Sequence, residues 1–260
     1  EVGSATADNI AAMEAMLREL AREPGISVER IEEGSLRLIV RDPSAALEVV
    51  GAEKLREEFK NRFSIQLLGF VPEHCLEELK EVAEELRTAS HDLLRWPDTL
   101  PDGEQFERPE LQQLLTLTSE RDRSATAVIG DPGSGKSALL AMLGKCLVKA
   151  GHPVLAIKAD LIDTEVNNEA DLQEHLGLSE CPSSMLTRLS ALRPTFLLID
   201  QLDALAGYLD LRTGRLTTLL NLVRRLGKTK NIHIVMSCRK FEYEHDVRLR
   251  AISAESLELK

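Results

Sequence analysis

The sequence predicts an α/β fold in which a parallel sheet is covered by helices, preceded by a small α+β domain. Two observations carry this prediction. After Leu111, short and almost continuously apolar runs alternate with amphipathic helical segments, a pattern typical of a parallel sheet buried on both faces. Between the first apolar run and the first of these helices stands a glycine-rich octet, GDPGSGKS, at residues 130–137.

The second half of the chain contains the runs that we predict to be strands of this sheet. They lie at residues 125–130, 153–159, 195–200, 232–237 and 256–259. Helical periodicity fills the intervals at residues 137–150, 169–176, 183–192 and 215–226. We therefore expect residues 111–260 to form one core domain in which strands and helices alternate.

Residues 1–88 follow a different pattern and are predicted to form a small interaction domain. Two alternating apolar and polar runs indicate a β-hairpin, and helical segments flank it. The predicted helices cover residues 8–22, about 42–60 and 73–87, and the predicted strands cover residues 26–31, 35–40 and 63–70. Residues 89–110 contain three prolines and the single Trp of the chain, which predicts a linker or an arm against the next domain.

Charge, apolar runs and cysteine content limit the binding partners and the cellular settings that fit this sequence. The net charge of the 260 residues is −11, but residues 1–120 hold 13 Lys and Arg against 26 Asp and Glu, whereas residues 121–260 hold 19 against 17. The acidic excess disfavours nonspecific binding to DNA or anionic membranes. No apolar run approaches the length of a membrane span, and no signal-peptide pattern opens the sequence. Four widely spaced cysteines predict reduced thiols in a cytoplasm: Cys75, Cys146, Cys181 and Cys238.

The octet predicts a phosphate-binding loop because it matches the pattern G-x-x-x-x-G-K-[ST] in full. Glycines let consecutive backbone N–H groups curl around a phosphate, and the next helix points its positive end at the same group. We predict that Lys136 reaches the β- and γ-phosphates and that Ser137 binds Mg²⁺. The predicted phosphate-binding residues are Gly130, Asp131, Pro132, Gly133, Ser134, Gly135, Lys136, Ser137 and Ala138.

Charged residues follow two more of the predicted strands. Asp200 ends the run FLLID, and a carboxylate at the end of a buried strand needs a partner, which Mg²⁺ would supply. Asp203 either orients the attacking water, helps to hold the metal, or caps the helix that follows it. Arg239 either contacts the γ-phosphate or is a surface residue of a basic loop. The predicted catalytic residues are thus Lys136, Asp200, Asp203 and Arg239, with Ser137 and Asp200 as metal ligands.

Three segments together resemble the STAND class of P-loop NTPases, which includes the NACHT and NB-ARC signalling ATPases. They are VIGDPGSGKSALL at 128–140, FLLIDQLDAL at 196–205 and IVMSCRKFEYEHDVRLR at 234–250. The last is similar to the stretch that carries an Arg sensor in bacterial STAND proteins, including antiphage-defence ATPases. The resemblance implies a five-stranded ATP-binding core, nucleotide-controlled oligomerisation and an N-terminal effector or adaptor module.

Carried over residue by residue, the resemblance assigns the octet to the phosphate loop, Asp200 to the Mg²⁺ acid and Arg239 to the sensor. This sequence departs from related patterns at Gln201, where AAA+ members have Glu, and at Ala204, where NACHT-type members often have an acid. The missing general base implies slow hydrolysis, or a switch held by bound nucleotide. Residues 1–88 resemble, more loosely, adaptor domains of the TRADD N-domain type, so we expect a protein effector or partner there.

An AAA+-type DNA-associated ATPase, resembling origin-recognition or transposition helpers, is the alternative. The basic stretch at residues 239–250 favours it, and Gln201 argues against it. The STAND resemblance also implies a helical lid and a C-terminal sensor, which the sequence does not contain after its last predicted strand. Because the sequence also lacks an initiator Met, we expect it to be a fragment.

Overall fold

A computed structural model describes residues 7–32, 37–41, 47, 50–63, 74–97, 108–206, 214–252 and 254–259. The chain divides into two compact units, Glu1–Pro72 and Glu73–Lys260. Within the described residues, no helix is both long enough and apolar enough to cross a lipid bilayer.

The first unit contains a helix, a hairpin and a second helix: α1 (Ala7–Ala21), β1 (Ser27–Glu32), β2 (Arg37–Arg41) and α2 (Ala52–Phe63). The two strands pair antiparallel, which confirms the predicted hairpin. Its core is formed by Met13, Met16, Leu17, Ile26, Leu47, Leu55 and Phe59. Gly51, at a φ of +81°, precedes α2, where one longer helix was predicted. The strand predicted at residues 63–70 lies outside the described residues, apart from Phe63 at the end of α2.

The second unit is built on a five-stranded parallel sheet, which confirms the α/β prediction. Its strands are β3 (Ser124–Gly130), β4 (Val154–Lys158), β5 (Thr195–Asp200), β6 (Ile232–Arg239) and β7 (Glu255–Leu259). They lie in the order β4-β5-β6-β3-β7, and each neighbouring pair is parallel. Every residue of β4 and β5 is buried, as expected for strands covered on both faces.

Helices cover this sheet. They are α3 (His74–Ala89), α4 (His91–Leu94), α5 (Pro109–Glu120), α6 (Lys136–Lys149), α7 (Glu169–His175), α8 (Pro182–Ser190), α9 (Arg215–Leu226), α10 (Lys240–His245) and α11 (Val247–Arg250), with 3₁₀ turns at Ala159–Leu161 and Leu202–Leu205. Leucines of α4, α5 and α6 pack with Val128, Phe196 and Leu198 of the sheet into one core.

Helix α3 lies with the second unit, whereas the sequence pattern grouped it with the first 88 residues. The reason is the free edge of β4, the outermost strand on its side of the sheet. Ser90, fully buried after α3, accepts a hydrogen bond from Ala156 N at 2.8 Å through its Oγ and so pairs one N–H group of that edge. Glu85 of α3 also accepts a hydrogen bond from Ser179 Oγ at 2.8 Å. Residues 91–94 of the predicted linker form α4.

The strand order fixes where a ligand can bind. Strand β3 lies between β6 and β7, and the chain places β4, β5 and β6 on one side of it before β7 joins the other side. In open α/β sheets such a switch of direction leaves a crevice at the carboxyl ends of the strands. The glycine-rich octet begins at the carboxyl end of β3, beside this crevice.

A buried histidine lies toward the opposite end of β6. The ring of His233 stacks on Phe196 at 5.2 Å between centroids, and its Nδ1 lies 3.0 Å from Ser124 Oγ. His233 is 1% exposed, and burial, followed by the nearby His152, lowers its pKa to about 4.

The stability of the fold should therefore depend on this histidine at acid pH. A histidine whose pKa is depressed on folding favours the native state above its unfolded pKa of about 6.5, and that contribution is lost as the pH falls toward 4. The loss should be on the order of 3 kcal/mol. In His233→Gln, the fall in unfolding free energy between pH 7 and pH 4, measured with urea, should be smaller than in the wild type. His91→Gln, at an exposed histidine, is the control and should keep the wild-type dependence.

Candidate functional site

The octet forms a tight loop between β3 and α6, where the pattern predicted it. Gly133 and Gly135 adopt φ angles of +82° and +87°, in the left-handed region that favours glycine. Gly130 has no room for a side chain, because a Cβ there would lie 2.8 Å from Ser134 Oγ and 2.9 Å from Leu259 O. This backbone conformation therefore requires glycine at these positions, whether or not a ligand is bound.

Lys136 is the first residue of α6, and its ammonium group lies inside the loop. Its Nζ donates to Gly130 O at 2.9 Å and to Asp131 O at 2.8 Å, and the residue is 9% exposed. The buried ammonium and the N-terminus of a 14-residue helix both contribute positive charge at the loop.

The other residues of the loop differ in their exposure to solvent. Asp131, Pro132 and Gly133 are exposed, whereas the partly buried positions are Ser134, Gly135, Ser137 and Ala138. The first N–H groups of α6 have no carbonyl partner within their helix, as at every helix start. Three glycines without Cβ atoms, the N–H groups at the start of a helix and a nearby cation are together the features that a phosphate site requires.

Asp200 lies at the carboxyl end of β5 and is fully buried. Its Oδ1 accepts a hydrogen bond from Ser237 Oγ at 2.6 Å, and its Oδ2 lies 3.4 Å from Lys158 Nζ. Ser237 Oγ in turn accepts from Gln201 N at 2.8 Å, and Gln201 has a φ of +56°. The carboxylate is thus held from β6 on one side and from β4 on the other.

The structure brings Asp203 and Arg239 together. Asp203 Oδ1 accepts from Arg239 N at 3.0 Å, and its Oδ2 lies 3.1 Å from Arg239 Nε. Burial raises the pKa of Asp203, and the hydrogen bond and charge of Arg239 oppose that rise. Arg239 pairs in register with Gly130, so this ion pair lies at the same level of the sheet as the start of the loop. The Arg239 side chain remains about half exposed.

Three residues at this site were not predicted from the sequence. Lys158 and Ser237 lie at the ends of β4 and β6, and their proximity to Asp200 depends on the strand order. Arg108, placed by the sequence pattern in the linker, donates from Nη2 to Ser134 O at 3.1 Å. The sequence contained one hint of a role for Arg108, which is the only Lys or Arg among residues 96–120.

The oxygen atoms present suit Mg²⁺. The hydroxyl of Ser137 and the carboxylate of Asp200 are hard donors, and Mg²⁺ is commonly bound by one or two such side chains together with substrate phosphates. The nearby thiol of Cys238 is no competing nucleophile, because the residue is buried and that burial raises its pKa strongly. Cys238 is thus a small buried residue of the core.

The chain is similar to known proteins in structure rather than in sequence. No family model and no curated protein matches the sequence. Among solved structures, AMPPCP-bound DnaA from Aquifex aeolicus matches with a TM-score of 0.45 and 18% sequence identity, over 64% of this chain and 51% of that chain. The chain therefore spans about half the length of that protein. The sheet order and the octet at the end of β3 give this chain the fold of a P-loop NTPase.

Proposed function

We propose that this protein is a nucleotide-switched signalling ATPase of the STAND type, which binds ATP with Mg²⁺ and couples that binding to self-assembly. The observation that carries the proposal is the buried Lys136 ammonium, enclosed by a loop with two left-handed glycines at the switch point of the sheet. The three segments that resemble the STAND class are the loop, the Asp200 strand and the Arg239 stretch, and each contains the carboxyl end of a parallel strand, β3, β5 or β6 respectively.

Each residue has a role in this proposal. The loop N–H groups and Lys136 bind the β- and γ-phosphates, and Ser137 and Asp200 hold Mg²⁺. Bound Mg²⁺ would neutralise charge on the phosphates. Ser237 orients the Asp200 carboxylate through the 2.6 Å hydrogen bond. Arg239 contacts the γ-phosphate, and its present partner is Asp203.

The exchange of partners by Arg239 is what would make the site a switch. In the structure, Arg239 is held by Asp203 in the 3₁₀ turn after β5. A γ-phosphate offers the guanidinium a more highly charged partner, which would release that turn. Gln201 and Ala204 offer no carboxylate at the positions where a general base stands in related patterns, so we expect turnover to be slow and the bound state to persist.

The proposed output is assembly and the presentation of residues 1–88 to a protein partner, as in bacterial antiphage-defence ATPases of this class. Most of the negative charge lies in the first 120 residues, which suits recognition of a protein rather than of a nucleic acid. The reduced thiols predicted from the sequence fit a cytoplasmic setting for such a switch.

The AAA+-type DNA-associated alternative depends on the basic stretch after β6. In the structure three of its cations lie beside carboxylates: Arg239 with Asp203, Lys240 with Glu258 at 2.7 Å, and Arg248 with Asp246 at 2.7 Å. Such pairing reduces the charge available for phosphates of DNA. DNA binding that weakens steeply with salt would favour this alternative.

The test combines a binding and an assembly measurement on the same sample. We expect calorimetry to show binding of ATP with Mg²⁺, and sedimentation velocity to show larger species with a slowly hydrolysed ATP analogue than with ADP or without nucleotide. Nucleotide binding without any change in sedimentation would contradict the switch. Absence of binding would contradict the assignment of the site.

A further inference from the structure

Lys158 is a buried cation that the proposed nucleotide site does not yet use. It is the last residue of β4, in register with Asp200 at the end of β5, and its side chain is 4% exposed. A buried ammonium is costly unless charges or hydrogen bonds compensate it, so its surroundings indicate what it does there.

The Lys158 ammonium is shared among three groups. Its Nζ lies 3.4 Å from Asp200 Oδ2, 3.4 Å from Asp160 Oδ1 and 4.3 Å from the ring centroid of Trp96. Neither carboxylate is at the distance of about 2.8 Å that a strong charged hydrogen bond adopts. The cation therefore neutralises both acids and contacts the indole face without being bound tightly to one partner.

The two oxygens of Asp200 are held unequally. Oδ1 has the short hydrogen bond from Ser237, which fixes the orientation of the carboxylate, whereas Oδ2 has the longer contact with Lys158. A divalent cation at this carboxylate would meet Lys158 as a like charge a few ångströms away. Like charges at such separations repel each other even at a protein-like dielectric constant.

We propose that Lys158 is a positioning residue that acts as the counter-ion of Asp200 in the metal-free site and competes with a divalent cation for its carboxylate. This inference rests on the proposed nucleotide site. Lys158 holds the Asp200 carboxylate in place until nucleotide and metal arrive together, and then shifts its contact toward Asp160 and Trp96. The site thereby resists metal without nucleotide, because the free cation alone must displace a buried charge.

Trp96 makes the exchange measurable. It is the only Trp of the chain, and its backbone carbonyl accepts a hydrogen bond from Lys145 Nζ of α6 at 3.2 Å. The backbone of Trp96 is thus attached to the helix that follows the phosphate loop, while its indole ring faces the Lys158 ammonium. A movement of the ammonium against the ring should alter the Trp emission, since the two are in direct cation–π contact.

The experiment titrates Mg²⁺ into protein with saturating ATP and follows Trp96 emission, with calorimetry on the same samples. We expect the wild-type emission to change with Mg²⁺–ATP and not with Mg²⁺ alone. In Lys158→Met, we expect that change to be lost and the half-saturating Mg²⁺ concentration to fall about tenfold, since the competing charge is gone. Lys145→Met, which affects the Trp96 carbonyl but not Asp200, is the control and should keep the wild-type Mg²⁺ midpoint.

The outcomes separate this inference from the function on which it rests. If the wild type binds Mg²⁺–ATP but its emission stays constant, or if Lys158→Met leaves the Mg²⁺ midpoint unchanged or raises it, the inference is wrong and the proposed function stands. If the wild type binds no nucleotide, both are wrong. The measurement of Trp96 emission in the wild type tests the inference without any substitution. If Lys158→Met fails to fold, Lys158→Gln provides a second variant.

Discussion

Replacement of Lys136 by alanine should abolish ATP binding. The ammonium is the cation at the start of α6, and its two short hydrogen bonds to loop carbonyls place it beside the backbone N–H groups that would hold phosphates. Hydrogen bonds to charged groups contribute about 1.5–3 kcal/mol each, and a lysine at this position would make more than one with a triphosphate. We expect the affinity for ATP, measured by calorimetry, to fall by about a hundredfold or more.

Lys149→Ala is the matched control for that substitution. Lys149 ends the same helix and is exposed, so its removal changes the net charge by the same amount without touching the loop. Thermal melting of both variants separates loss of the ligand from loss of the fold, because Lys136 is itself buried. An affinity of Lys136→Ala within a few-fold of the wild type would show that the octet is not the nucleotide site.

The sheet and the loop were predictable because their signals are local. Strands β4, β5 and β6 are largely apolar runs, and β5 and α9 begin and end at the predicted residues. The octet can be recognised from eight consecutive residues, which include its two left-handed glycines, together with the apolar run before it and the helical run after it. Local patterns of this kind predicted the fold class correctly.

The contacts of Ser90, Lys158 and Ser237 were not predictable, because they depend on which strands are neighbours in the sheet. Ser90 follows a polar helix in the sequence, and only the placement of β4 at the sheet edge gives its hydroxyl a backbone to bind. Lys158 and Ser237 lie 42 and 37 residues from Asp200, and nothing in the runs VLAIK and IHIVMSCR specifies that β5 lies between them. The partners of a buried charge follow from topology rather than from a motif.

Asp200→Asn should have the largest effect on the stability of the fold among the substitutions at this site. Asn keeps an acceptor for Ser237 but leaves the buried Lys158 without the charge that faces it at 3.4 Å. Breaking a buried ion pair by removing one partner typically costs about 3–5 kcal/mol. We expect a loss of that order in the unfolding free energy measured with urea, together with loss of the Mg²⁺ dependence of nucleotide binding.

Asp160→Asn is the control, because Asp160 Oδ1 lies at the same 3.4 Å from the same ammonium but its side chain is 31% exposed. Water can replace that carboxylate, so we expect this variant to lose no more than about 1 kcal/mol. The double variant Asp200→Asn with Lys158→Met removes both buried charges and should be more stable than Asp200→Asn alone. If Asp200→Asn is as stable as the wild type, or if the second substitution lowers its stability further, the two residues do not act as a buried charge pair.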